Sequence, residues 1–581
     1  MRGMSPCSAL APERVRQARG YMRIHGCAGP PFAARCQCQS CTPAPRSAPS
    51  LTAAASRTAA ACIPRAARDH VPHGCRPSGP AVLTEAAMWT LSRREFMKTG
   101  MLAAGAVLLP QSDPASRACT RMRYSLATDR GRRMLTTYAD SVRRMNSQRW
   151  YPESNPLSWT FQWYTHMVRG DRTKAAELAR IYPAGGATMA LANDMWNTCQ
   201  SHLGQPQEYF LPWHRLYLIC FEDLIRAVSG DNCFTLPYWD YTDPAQQALP
   251  IQFRQPGHYT WGALYRADRY AEINAGTPLP AGPVRLALDL ACMKSGSYNP
   301  QDGDAGFCAN LDSLLHGAVH LDIGTKLGMG AVPWAANDPV FWVHHCNIDR
   351  IWASWNAAGG SNPSDSAFLD KTFTFADSRG QPRIGRIGDV LAAVPAAYDA
   401  YLDRPAGSLP FQGASAQRAA RDVLESNAPD EDGDIRLGEL PAAVGLHGPN
   451  GAPAGGPPWL RSAGHLILAI EGRRAMEFVG AAFNVYVHGV RRPELTPDSP
   501  AFVGQLNFFG LESMHGHDGD GHDSEGHDSD AGKDASFVLR DETRAFLAGL
   551  HTGALVVTLQ PTAPTAGLEV ATVRRIALVP R

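Results

Sequence analysis

No apolar run in this 581-residue chain reaches the roughly eighteen residues that a membrane-spanning helix requires, so no span is expected. Tandem CxxC pairs at zinc-ribbon spacing are also missing, and the cysteines after residue 87 form no even, closely spaced framework. Neither a zinc ribbon nor a disulfide scaffold is indicated. Net charge is nearly absent as well, with 55 Lys+Arg against 54 Asp+Glu. That balance conceals an asymmetry. Residues 1–87 carry 11 Arg, no Lys and 3 acids, which leaves 44 basic against 51 acidic residues in the remainder. The main body therefore has no basic footprint for nucleic acid. Its length predicts two or three domains with sizeable cores.

Residues 1–87 also have few of the large aliphatics a core needs, being rich in Ala, Pro, Arg, Ser and Cys. They are expected to be unfolded, or to lie upstream of the genuine start. Met88 is the candidate start. Ser92-Arg93-Arg94-Glu95-Phe96-Met97-Lys98, followed by the apolar Gly/Ala-rich stretch Met101–Leu109, resembles a twin-arginine export signal, which works at an N-terminus. Residues 88–118 then form a signal peptide cleaved near Ala115–Ala118. The expectation is export by the twin-arginine machinery to a periplasmic or extracellular location.

Histidine spacing carries most of the chemistry. Leu315-His316-Gly317-Ala318-Val319-His320 places two imidazoles at i and i+4, on one face of a helix and able to share a metal. Downstream lies NDPVFWVHHCNIDRIWASW, Asn337 to Trp355, where Asp338-Pro339 is a helix start. Phe341, His345 and Asp349 follow at spacings of four, along one face of that helix. The carboxylate of Asp349 can fix a ring N–H or pair with Arg350. A second set lies upstream. It comprises His166 in WTFQWYTHMVRG, then His202, then His214 near the start of the amphipathic FLPWHRLYLICFEDLIR, Phe210 to Arg226. Three neutral imidazoles per metal, with no thiolate supplied, suit copper better than Mg, Ca or Fe–S.

PWHRLYL, the HxxxH pair and DPVFWVHHxNxDRxW together resemble the tyrosinase, catechol oxidase and haemocyanin family of type 3 copper proteins, over roughly residues 135–360. LPYWDYTDP, Leu236 to Pro244, resembles the stretch that follows the first copper region in these proteins. The resemblance implies a mainly α four-helix-bundle domain enclosing two copper ions. His166, His202 and His214 hold the first (Cu A), and His316, His320 and His345 hold the second (Cu B). It implies that His344, the first His of the pair, lies just outside the ligand set. Val332 resembles the small gate residue beside the second copper, and Asp312 the carboxylate that holds a water near it. Three departures bear on this. His202 and His214 are twelve residues apart, where the family commonly has nine. Cys199 lies three residues before His202 rather than two, which leaves a Cys–His thioether open. Gly317 stands where hydroxylating members often have Asn.

The implied chemistry is oxidation of small phenols by O2 as co-substrate, monophenols being hydroxylated and o-diphenols oxidised to o-quinones. An o-diphenol-only catechol oxidase and a haemocyanin-like oxygen carrier are the alternatives. A copper chaperone is a further implied partner. Residues 119–365 are expected to form the dicopper domain and residues 366–463 a linker with short helices. Residues 464–581 then form an antiparallel β-sandwich, read from recurrent runs such as HLILAIEG, FNVYVHGV and EVATVRRIALV. In larger family members such a domain packs over the copper cleft and keeps the enzyme latent. Within it, MHGHDGDGHDSEGHDSD, residues 514–530, is too polar for a core and is expected as an exposed loop. It is either a collector of Cu or Zn or a solvated insertion. His258, His447, His465, His488 and His551 have no partners at ligand spacing.

Overall fold

The computed structural model describes Cys119 and residues 121–581, apart from 203–204, 393–396, 412–422, 427–432, 449–458, 513–531, 551–553 and 564–569. The export-signal segment, His551 and the His-rich loop 514–530 lie outside the described residues. No helix among the described residues is long and apolar enough to cross a membrane.

The helical half is assembled from short, well-capped helices that converge on one aromatic core. Helix α1 (Asp129–Met145) opens on Thr128, whose hydroxyl accepts from the Gly131 N–H, and α2 (Trp159–His166) opens on Ser158 in the same way. The long α3 (Phe210–Ser229) stops at Gly230, which takes the left-handed conformation that ends helices. A π-helical turn, Leu311–His316, runs directly into α4 (Gly317–Ile323). Helix α5 (Val340–Ala357) starts just after Pro339, and Asp338 caps it by accepting from the Val340 N–H at 2.9 Å. The four segments carrying five of the six predicted ligands, α2, α3, the π turn with α4, and α5, share a core that includes Phe161, Trp213, Val319, Phe341 and Trp342.

Asp349 does not fix an imidazole or pair with Arg350. Its carboxylate takes Arg215 at 2.6 Å, Arg123 at 2.8 Å and the Tyr398 hydroxyl at 2.6 Å, and Arg123 also reaches Glu222 at 2.9 Å. Burial opposes ionisation of Asp349, but Arg215 and Arg123 together hold its pKa below the usual carboxylate range. Arg350 pairs instead with Asp240, at 2.9 Å. A disulfide joins Cys119 to Cys233 across 114 residues, while Cys199, Cys220, Cys292, Cys308 and Cys346 are free and buried.

The C-terminal half is one continuous antiparallel sheet rather than two packed ones. Its strands are β1 (Leu424–Ser426), β2 (Ile435–Leu437), β3 (Ala442–His447), β4 (Leu466–Ala475), β5 (Phe483–Gly489), β6 (Phe502–Leu506), β7 (Lys533–Val538), β8 (Leu555–Pro561) and β9 (Ala571–Pro580). They run in the order β6-β5-β8-β3-β1-β9-β4-β7, with β2 added on β9. The strands at opposite ends of this order come back together, since a Cβ on Gly504 of β6 would lie 2.6 Å from the Phe537 ring of β7. The sheet thus curls almost into a barrel, the outcome that strand twist favours when one face is apolar. The expected linker at 366–463 supplies three of these strands, besides a hairpin (Thr372–Ala376 with Pro382–Arg386) and short helices.

Edge strand β7 is capped by the helical half. Its Asp534 N–H donates to Gln207 Oε1 at 3.2 Å, and its Ser536 N–H donates to Asn310 Oδ1 at 2.8 Å.

Candidate metal centre

Two clusters of buried donor atoms lie at the meeting point of α2, α3, α4 and α5. His316, His320, His344 and His345 each present a nitrogen within 4.8 Å of the others, and His166, Cys199 and His214 form a second such group. The rings are interleaved. His214 stacks on His345 with centroids 4.2 Å apart and planes within 3°, while His316 and His320 meet edge to face at 4.5 Å. Phe341, one turn before His345, packs on that ring at 4.2 Å and on His166 at 4.9 Å, forming the dry wall between the groups.

Three of the imidazoles are aimed by a contact to Nδ1. His214 Nδ1 donates to the Phe210 carbonyl at 2.8 Å and His320 Nδ1 to the Met329 carbonyl at 2.8 Å, while His316 Nδ1 lies 3.1 Å from Asp312 Oδ1. Such a bond fixes the tautomer and leaves the other nitrogen for a metal. His320 Nε2, His344 Nε2 and both nitrogens of His345 are buried without a hydrogen-bond partner among the described residues. Burial holds the His166, His214, His320, His344 and His345 pKa values well down, that of His214 at about 3, with the neighbouring imidazoles adding to the effect. These rings are neutral at pH 7, the form that ligates.

The predicted residues are placed as follows. His166, His214, His316, His320 and His345 come together. His344, expected outside the ligand set, stands within the second cluster, although the Tyr241 hydroxyl engages its Nδ1 at 2.9 Å. His202 lies outside the first cluster. It is half-buried and near enough to help depress the His166 pKa, while Cys199 Sγ is 3.1 Å from His166 Nε2 and 3.9 Å from His214 Nε2. Asp312 is buried beside His316, but both of its oxygens are occupied. Oδ1 accepts from the Ser201 hydroxyl at 2.9 Å as well as facing His316, and Oδ2 meets Lys533 at 2.6 Å. Val332 is buried in an apolar cluster with Met167, Ala318 and Phe509.

Three residues that sequence reasoning missed belong to the segment following β6. Phe509 stacks on His320 with centroids 4.2 Å apart and planes at 16°, and meets His316 edge-on at 5.5 Å. Asn507 donates through Nδ2 to the Ser313 and Leu314 carbonyls at 3.0 and 2.9 Å, pinning this segment to the π turn. Gly510, at φ +69°, turns the chain back where a Cβ would strike Ser201 O at 2.6 Å.

Two buried donor clusters in a helical core, one of four imidazoles and one of two imidazoles with a thiol, and no carboxylate among the donors, define a dinuclear copper domain. Comparison agrees: residues 156–279 and 290–358 match the model of the common central domain of tyrosinase. A tyrosinase from Hahella sp. (strain CCB-MM4) is 33% identical over 285 residues, covering 43% of this chain and 56% of that protein. Aureusidin synthase of Antirrhinum majus is 28% identical over 212 residues, covering 31% and 38%. The chain thus spans about half the length, or less, of these relatives. Among solved structures, latent apple tyrosinase superposes with a TM-score of 0.52 at 20% identity, covering 80% of this chain and 98% of that one. Latent aurone synthase gives 0.54 at 20%, covering 80% and 90%. Both share the fold, including the C-terminal half.

Proposed function

We propose that the chain is a tyrosinase-type phenol oxidase that uses O2 to hydroxylate monophenols and oxidise o-diphenols, and that its own C-terminal half keeps it shut. The observation that carries this reading is the pair of clusters with Phe509 stacked on one ligand ring. His166 and His214, with Cys199 or His202, would hold one copper, and His316, His320 and His345 the other. The coppers, when bound, supply the redox chemistry by which O2 takes electrons from a phenol. The chain's own groups do the rest. Asp312 and the Met329 and Phe210 carbonyls hold the ring N–H groups and so aim the opposite nitrogens. Phe341 excludes water, and Val332, packed in one apolar cluster with Phe509, is the gate residue. Phe509 covers the face of His320 that an aromatic substrate would use, so turnover requires its withdrawal.

Oxidation of o-diphenols alone is the second reading. Two observations favour it: Gly317 offers no side-chain acceptor, and both oxygens of Asp312 are engaged, leaving no evident base for a phenol proton. The disulfide between Cys119 and Cys233 supports export to an oxidising compartment. In the test, the copper-loaded chain is assayed with L-tyrosine and L-DOPA, intact, after proteolytic removal of the C-terminal half, and as Phe509→Ala. Quinone from both substrates, rising at least about tenfold on removal or in the variant, is expected; tenfold corresponds to 1.4 kcal/mol. Quinone from L-DOPA alone selects the second reading. No oxidation of either substrate in the opened protein overturns both.

A further inference from the structure

Lys533 carries a positive charge from the C-terminal half into the metal-binding pocket. It opens β7, its side chain is 4% exposed, and its ammonium lies 2.6 Å from Asp312 Oδ2. The other oxygen of that carboxylate faces His316 Nδ1 at 3.1 Å. One carboxylate therefore separates a lysine of one half from a copper-ligand histidine of the other. We propose that the Lys533–Asp312 ion pair latches the C-terminal half onto the dicopper domain and that copper loading weakens this latch. The proposal rests on the copper reading given above.

The argument is electrostatic. A buried carboxylate needs a compensating cation, and removing its partner leaves an uncompensated charge. Without metal, Lys533 is the full cation in contact with Asp312. The other charged groups around it are Arg473, which donates to the Asn507 carbonyl at 2.7 Å and to the Asp534 carbonyl at 3.3 Å, and Asp534, which accepts from the Gly472 N–H at 2.9 Å. Copper held through His316 places a second cation on the far side of the same carboxylate. It shares the compensation of Asp312 and repels Lys533 through an interior that screens poorly. Docking and metal binding then oppose each other, and reciprocity requires that the docked half lower copper affinity by the factor by which copper loosens docking.

The Asp534 and Ser536 amides report docking directly, because their N–H groups donate across the interface to Gln207 and Asn310. Hydrogen exchange at these amides is measured on the full chain, metal-free and copper-loaded, with bound copper quantified and its retention against a chelator followed. Copper is expected to speed exchange in the wild type by on the order of tenfold, within the usual range of coupling between sites. Lys533→Met should exchange fast in both states, with a copper effect below about twofold, and should retain copper about tenfold longer, the reciprocal of the same coupling. Lys533→Arg, which keeps the charge, should behave as wild type. Equal exchange with and without two bound coppers overturns the coupling and leaves the copper reading intact. A Lys533→Met protein with the full copper effect overturns the lysine as its carrier. Absence of copper uptake overturns the proposal and the reading beneath it together. If Lys533→Met melts as an unfolded chain, the wild-type and Lys533→Arg measurements still decide the coupling.

Discussion

A Cβ at position 317 would lie 2.3 Å from Asn507 Oδ1 and 3.1 Å from Phe509 Cβ. Glycine follows His316 here because the C-terminal segment occupies that space, and any side chain must push it away. Gly317→Asn is accordingly expected to weaken docking by about 1–3 kcal/mol, the usual cost of overpacking. Faster hydrogen exchange at the Asp534 and Ser536 amides would register it, and unchanged exchange would count against the steric account. The histidines were legible at this scale because ligand chemistry demands fixed spacings within single helices. Cys199 was noticed only as an open thioether partner of His202; that it faces His166 and His214 was not legible, since a buried cysteine reads as a small hydrophobe until imidazoles are seen beside it. Phe509 and Lys533 were illegible for another reason. They lie nearly 200 residues or more from His316 and His320, in runs that alternate like ordinary strands, and nothing local distinguishes a residue facing its own core from one facing another half.

At the scale of elements, α5 is fastened at both ends. Its start is held by Asp338 with Arg269, at 2.6 Å, and its later turns by Asp349 with Arg123 and Arg215. Since His345 lies between these clamps, the helix cannot slide without moving a ligand. Asp349→Asn leaves the buried Arg215 guanidinium without its anion and Arg123 with Glu222 alone, and is expected to cost about 3–5 kcal/mol in denaturant unfolding. The pH dependence has a definite sign. A carboxylate whose folded pKa is depressed stabilises the fold above the ordinary range near about pH 4 and loses that contribution as pH falls toward its folded value. The wild type should therefore lose more stability than Asp349→Asn between about pH 5 and pH 2, and parallel melting curves would remove the clamp from the account. The start of α5 was marked by Asp338-Pro339. Strand pairing was not, because apolar runs specify which segments are extended and not which neighbours they take. The strands of 424–447 escaped notice because they are short and set among Gly, Pro and Asp.

For the whole molecule, the disulfide from Cys119 to Cys233 ties the start of the described chain to the loop after α3. Closing a loop of that size restricts the unfolded chain, and Cys233→Ser is expected to lower stability by about 2–4 kcal/mol. Reductant should reproduce the loss in the wild type and have no effect on the variant in denaturant melts. The two halves share a larger dependence. Phe509 and His320 belong to one polypeptide, so the stacked contact between them forms within a single molecule. Its occupancy is set by an effective local concentration and does not fall when the protein is diluted. An inhibitor supplied as a separate chain would be shed as the protein spread into a large volume. Here only a break in the backbone or a shift in the docking equilibrium can expose the ring, which makes the timing of exposure independent of how much protein has been made.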